Sequence, residues 1–164
     1  MNTAYLLIGG NLGDRQFYLQ KARELIQQFC GNIVHYSAIY ETAAWGVTDQ
    51  PSFYNQALAL ETNLEPEKLM LELLRIEEYM GRKRTIKMGP RVIDLDILLI
   101  YGRILNSSLL TLPHPSLSIR RFALLPLAEI APKLLHPISG KIIAQLLDEC
   151  TDKLDVQKKT IEAN

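Results

Sequence analysis

VIDLDILLI, residues 92–100, is the stretch on which the fold turns. It is short, rich in isoleucine and leucine, and follows a glycine and a proline, so it reads as a buried β-strand. Side chains alternate along a strand, which puts Ile93, Leu95, Ile97 and Leu99 on one face and Asp94 and Asp96 on the other. The apolar face is expected to pack against helices. The two carboxylates, about 7 Å apart, are expected on an open face of the sheet.

Upstream, Thr3–Ile8 is a second apolar run, ended by Gly9 and Gly10. Asp14 suits a helix N-cap, and Tyr18, Ala22, Leu25 and Phe29 then recur at helical spacing until Gly31. Ile33–Thr42 reads as one strand and Ala43–Pro51 as a loop carrying the single tryptophan. Through Ser52–Glu61 the side chains alternate: Phe53, Asn55, Ala57 and Ala59 lie on one face, Tyr54, Gln56, Leu58 and Leu60 on the other. Pro66 opens and Gly81 closes a helix striped by Leu69, Leu73, Ile76 and Met80. The order β-α-β-β-α-β is that of an α+β, ferredoxin-like core, an antiparallel sheet with helices on one side. Beyond a proline-punctuated loop over Leu112–Arg121, C-terminal helices are expected at Arg121–Ile130 and Ile142–Leu147. The polar tail, residues 151–164, is expected to fray, and residues 1–164 to form one domain.

Of the 164 residues, 48% are hydrophobic and 22% charged, and the formal net charge is zero. A neutral chain offers no general cationic field to nucleic acid or a lipid surface, so neither is an expected partner. Any anionic ligand must meet local charge, and Arg82, Lys83, Arg84, Lys87 and Arg91 cluster within ten residues. Cys30 and Cys150 have no metal-ligand spacing and read as reduced. No secretory leader or membrane-length apolar run is apparent, so a cytoplasmic protein is expected, and separately a monomer.

Two aspartates on one strand face suit magnesium, which takes oxygen ligands and brings phosphates with it. A solvated surface pair is the plainer alternative. The basic stretch just before them favours a phosphate site, because arginine places forked donors on phosphate oxygens. Gly81, Gly89 and Pro90 bracket that stretch and suggest a lid over bound phosphates. The turn GGNLGD, residues 9–14, lacks the pattern of a Walker or dinucleotide loop and is explained as structural. His114 stands between two prolines, shortly before Arg120 and Phe122. Phe53 beside Asn55 is able to stack on a flat heterocycle and read its edge, though a core phenylalanine and an edge asparagine fit equally well.

Taken together, GGNLGD (9–14), ETAAWGVTDQPSFYN (41–55), IEEYMGRKR (76–84), GPRVIDLDILL (89–99) and LPHPSLSIRRFALLPLAEIAP (112–132) resemble the 6-hydroxymethyl-7,8-dihydropterin pyrophosphokinases. That resemblance implies transfer of pyrophosphate from ATP to the pterin hydroxymethyl group, in folate synthesis, with two magnesium ions between the substrates. It implies that Asp94 and Asp96 hold the metals, and that Arg82, Arg91 and both aspartates form the catalytic group. It puts Glu77, Arg82, Arg84, Arg91, Ile97, Thr111, His114 and Arg120 at ATP. Phe53 and Phe122 are implied to sandwich the pterin, with Thr42, Ala43, Trp45, Gly46, Asn55 and Asp94 around its polar edge. Met88 stands where some members carry a loop tryptophan, Pro115 where an aromatic contact to ATP is often found, and Leu109 where an arginine is usual. No residue stands out as a general base. The alternative from another class is a non-catalytic ferredoxin-like ligand- or RNA-binding module, whose RNA-binding form would want aromatic strands and a basic surface.

Overall fold

Strands whose two faces are both apolar need a cover on each side, and that requirement organises this chain. A computed structural model describes residues 1–43, 49–82 and 89–159. The elements are β1 (Asn2–Gly10), α1 (Arg15–Phe29), β2 (Asn32–Tyr36), β3 (Tyr40–Thr42), β4 (Phe53–Thr62), α2 (Pro66–Tyr79) and β5 (Asp94–Ile100). The short β6 (Leu105–Asn106) and β7 (Thr111–Leu112) pair with each other, and α3 (Arg121–Ile130), α4 (Ile143–Glu149) and β8 (Val156–Lys158) follow. The main sheet runs β5-β1-β4-β3-β8, with β2 also on β4, and all its described pairings are antiparallel. This is the expected ferredoxin-like order with an added edge strand.

One apolar cluster lies between the sheet and the α1–α2 layer. It joins Leu6, Ile8, Leu58, Leu60, Leu95 and Ile97 to Leu19, Ala22, Ile26, Leu69 and Leu73. A second lies on the opposite face, where Leu7, Leu98 and Leu99 meet Leu124 and Leu127 of α3 and Ile143 and Leu146 of α4. The face expected to be open is therefore largely roofed, and only its Asp94–Asp96 end is left for a site.

Four sequence expectations need correction. Leu99 does not share the face of Ile93, Leu95 and Ile97. Leu6 pairs with Ile97 but Tyr5 with Leu99, so Leu98 is an extra, bulged residue that turns Leu98 and Leu99 together into the second cluster. Ile33–Thr42 is two strands rather than one, because Ser37 interrupts the ladder: its hydroxyl, in place of a main-chain carbonyl, accepts the Ala57 N–H at 2.9 Å. The buried stripe of α1 centres on Leu19, Ala22 and Ile26, leaving Phe29 in the last turn 54% exposed. The tail does not simply fray: Val156–Lys158 pairs with β3, and the Thr42 hydroxyl donates to the Asp155 carbonyl at 3.1 Å.

Other readings hold. The Asp14 carboxylate accepts the Phe17 N–H at 3.0 Å as the α1 cap, and Gly81 follows α2 with φ +92°, a conformation that glycine adopts without strain. Among the described residues, no helix is long and apolar enough to cross a membrane.

Glu129 ties α3 to the far edge of the sheet, accepting the Tyr40 hydroxyl at 2.6 Å and the Ala38 N–H at 2.9 Å. Burial works to raise its carboxyl, but those two hydrogen bonds together with Lys158, 3.5 Å away, outweigh it and hold the group below its ordinary value. A depressed carboxyl adds stability above its unfolded value of about 4.3 and loses it as pH falls through the folded value. Tyr40→Phe should therefore cost about 1.5–3 kcal/mol at pH 7, the range for bonds to charged groups. In urea unfolding, the gap from wild type should narrow below pH 4.

Candidate active site

The site is built where β5 enters the sheet. Asp94 and Asp96 alternate with the core residues Leu95 and Ile97, so both carboxylates leave the strand on the face away from α1 and α2. Glu77 comes to them from α2 although its carboxylate is buried (2% exposed), because it accepts the Leu95 N–H at 2.7 Å and stitches helix to strand. Three carboxylates thus crowd one end of the sheet. Burial first, then repulsion by Asp94 and Glu77, drives the Asp96 carboxyl well above the usual carboxylate range.

Arginines offset that charge. Arg82 Nη1 donates to Asp94 Oδ1 at 2.6 Å and to Glu77 Oε2 at 2.9 Å, and Arg91 Nε lies 3.4 Å from Asp94 Oδ2. The arginines are not saturated: the Nε–H groups of Arg82 and Arg91 are buried with no hydrogen-bond partner among the described residues. A buried donor without a partner costs about 1–3 kcal/mol, so both groups would gain from an anion placed there. The Arg91 guanidinium also stacks 4.7 Å from the Phe53 ring centre, and that of Arg120 5.7 Å from Phe122.

Two clefts meet at the aspartates. The first is lined by Leu7, Gly9, Thr42, Ala43, Phe53, Asn55, Arg91, Arg120 and Phe122, together with Asp94 and Asp96. Its aromatic plates come from β4 and α3, and Asn55 lies buried between them and β1. Gly9 is required here, since a Cβ would overlap the Asn55 amide; at Gly10 one would overlap the Val92 carbonyl. The second cleft is lined by Met70, Leu74, Glu77, Leu95, Ile97, Leu109, Leu110, Thr111, His114 and Pro115, again with Asp94 and Asp96.

The bulge positions the histidine. The His114 N–H donates to the Leu98 carbonyl at 2.8 Å, and its Nδ1 accepts the Ser116 N–H at 3.1 Å. Burial, then the nearby Arg120, lowers the His114 imidazole below its ordinary value, so at neutral pH it is a neutral ring with its proton on Nε2.

Most of the residues singled out from the sequence converge. Thr42, Ala43, Phe53, Asn55 and Phe122 line the first cleft; Glu77, Ile97, Thr111 and His114 line the second. Arg91 and Arg120, expected on the nucleotide, lie in the first cleft beside the aspartates. Trp45, Gly46 and Arg84 lie outside the described residues, as do Met88 and the middle of the segment expected to act as a lid. Both described ends of that segment are pinned, Arg82 by Glu77 and Asp94, and Arg91 by Asn11. Leu7, Gly9, Met70 and Leu74 were not foreseen. Leu7 had a signal, the alternation of β1, but a leucine on a strand reads as core.

For a metal, the donor set is two aspartates of one strand face, with arginines close by. Among the described residues no group of three or more His, Cys, Asp or Glu side chains is arranged to hold an ion. Magnesium fits such a sparse set, because it keeps waters and substrate phosphates among its ligands; zinc would want more protein ligands.

Comparison with known proteins gives the family. The family described as 7,8-dihydro-6-hydroxymethylpterin-pyrophosphokinase (HPPK) matches residues 5–132. A 2-amino-4-hydroxy-6-hydroxymethyldihydropteridine pyrophosphokinase of Aquifex aeolicus is 42% identical over 153 residues, covering 93% of this chain and 95% of that one. Folic acid synthesis protein fol1 of Schizosaccharomyces pombe is 40% identical over 94% of this chain, which spans only 21% of the longer protein. A solved HPPK-DHPS structure in complex with substrates superposes with a TM-score of 0.73 at 17% identity, over 90% of this chain and 43% of that one. At that identity the superposition speaks for the fold. The extent of the family match and the 42% identity along the whole Aquifex chain speak for more: the chain belongs to the 7,8-dihydro-6-hydroxymethylpterin-pyrophosphokinase family.

Proposed function

We propose that the protein carries out its family's pyrophosphoryl transfer at the seam between the two clefts, with the pterin against Phe53 and Phe122 and ATP along Ile97, Thr111 and His114. The observation that carries this reading is that Asp94 and Asp96 are walls of both clefts at once. The transferred group has to pass between two bound substrates, and a carboxylate pair shared by their pockets marks that place. The non-catalytic alternative is not retained, because the family is one of enzymes.

In the reaction, the hydroxymethyl oxygen forms a bond to the β-phosphorus, the bond from that phosphorus to the α–β bridging oxygen breaks, and AMP leaves with the oxygen. The hydroxyl proton passes to solvent. Asn55, buried beside Gly9, offers an amide to the heterocycle's donor and acceptor edge, and the two phenylalanines orient its ring. Arg82 turns its Nε–H, which has no hydrogen-bond partner among the described residues, and Arg91 its guanidinium beside Asp94, to phosphate oxygens, and the Nε2–H of His114 is a further donor. Asp94 and Asp96 would hold magnesium, two ions by the family resemblance, and the metal would supply charge neutralisation for the phosphates. Holding both substrates in line and fixing these charges accounts for most of the rate, without a dedicated general base. A cytosolic monomer completes the reading, and the free Cys30 and Cys150 fit a reducing compartment.

The deciding assay combines protein, ATP, magnesium and 6-hydroxymethyl-7,8-dihydropterin. The expected products are AMP and the pterin diphosphate; ADP in place of AMP would reject pyrophosphoryl transfer. Asp94→Asn and Asp96→Asn should each lower kcat by at least about 100-fold with circular dichroism showing the fold retained, since each alters the charge at the reacting group. Near-normal turnover of either variant at low magnesium would refute the metal assignment.

The aromatic plates give a separate check. Phe53→Ala and Phe122→Ala should each weaken pterin binding by about 1–3 kcal/mol, the value of stacking on one aromatic face. ATP affinity should change far less, and equal losses for both ligands would reject the sandwich.

A further inference from the structure

Asn11 sits in the turn from β1 to α1, 2% exposed, and its amide is used between two other parts of the chain. Its Oδ1 accepts the Arg91 N–H at 2.9 Å, and its own N–H donates to the Arg91 carbonyl at 2.9 Å. Its Nδ2 donates to Gln50 Oε1 at 2.8 Å and to the Pro51 carbonyl at 2.9 Å. A single side chain therefore ties the main chain just ahead of β5 to the main chain just ahead of β4. These two points lead directly to Arg91 and to Phe53, whose guanidinium and ring stack on each other.

The segment ahead of Phe53 is held from its other side as well. Arg15 Nη1 donates to the Ser52 carbonyl and hydroxyl, both at 2.9 Å, and to Glu41 Oε2 at 3.0 Å; the Ser52 hydroxyl donates to the same carboxylate at 2.7 Å. The Arg15 guanidinium lies 3.8 Å from the Tyr54 ring centre. With Arg15 fixing one side, the Asn11 amide sets how far this segment stands from Arg91. Only an amide offers an acceptor to one neighbour and two protons to the other from the same planar group.

We propose that Asn11 is a positioning residue that holds the pterin wall and the phosphate arm, Phe53 and Arg91 of the first cleft, in register, so that pterin binding depends on how that wall stands against Arg91. This rests on the reading of Phe53 and Arg91 as contacts to the two substrates. The two halves of the amide are chemically separable. Asn11→Asp keeps an oxygen for the Arg91 N–H but turns a second, proton-free oxygen toward the Pro51 carbonyl. Pro51 has no donor to give. Asn11→Asp thus loosens the pterin side alone, whereas Asn11→Ala loosens both.

The test is a fluorescence titration of 6-hydroxymethylpterin at saturating magnesium and a non-hydrolysable ATP analogue, beside a titration of the analogue itself. Circular dichroism and thermal midpoints check the fold of each variant. For Asn11→Asp the pterin Kd should rise about tenfold or more and the analogue Kd should stay within about twofold, given the penalty for unpaired buried acceptors. Asn11→Ala should weaken both ligands. Gln50→Ala leaves Asn11 in place and should give a smaller loss confined to the pterin. Equal loss for both ligands in Asn11→Asp would reduce Asn11 to a structural residue and overturn the proposal, as would unchanged affinities. If Asn11→Asp fails to fold, unchanged pterin affinity in Gln50→Ala overturns it instead. A wild-type protein that binds no pterin would sink the underlying reading and the proposal with it, an outcome distinct from wild-type binding with unaffected variants.

Discussion

Three carboxylates, Glu77, Asp94 and Asp96, are packed against one end of a sheet covered by an apolar cluster on each face, and the surrounding structure answers that concentration of charge. A buried carboxylate is tolerated only with partners, and each has found some. Glu77 is spent on the Leu95 N–H and Arg82, and Asp94 on Arg82 and Arg91. For Asp96, burial with repulsion by Asp94 and Glu77 raises the carboxyl.

The fold supplies that end of the sheet by controlling which face each residue of β5 serves. Up to Ile97 the strand alternates between the α1–α2 core and the carboxylates. At Leu98 the bulge gives two successive leucines to the α3–α4 side and frees the carbonyl that anchors His114. The same few residues thus end the acidic surface, seat the second apolar layer and place the histidine. On the neighbouring strand, the absence of side chains at Gly9 and Gly10 lets Asn55 and Val92 come close enough to shape the first cleft.

The element order and the face assignments near the site were legible in the sequence, because they follow from local alternation and helical spacing. The Asp94–Asp96 pair, the Phe53–Asn55 pair and the Asp14 cap all stand where those patterns put them. What escaped depended on contacts between segments distant in sequence. The Leu98 bulge leaves no trace in a run of apolar residues. The break at Ser37 depends on a hydroxyl meeting Ala57 twenty residues away. The β8 strand looked like a polar tail because an edge strand needs few apolar side chains. Asn11 looked like a turn residue, and nothing in GGNLGD points to Arg91 or Pro51 as its partners.

The central claim, that the carboxylate pair is the meeting point of two substrate clefts, is most directly tested by a crystal structure. Crystals would hold 6-hydroxymethylpterin, a non-hydrolysable ATP analogue and manganese, the metal being located by its anomalous scattering. The expected result is metal on Asp94 and Asp96, the pterin ring between Phe53 and Phe122, and the nucleotide along Ile97, Thr111 and His114. Metal bound away from both aspartates, or both ligands lodged in a single cleft, would contradict it.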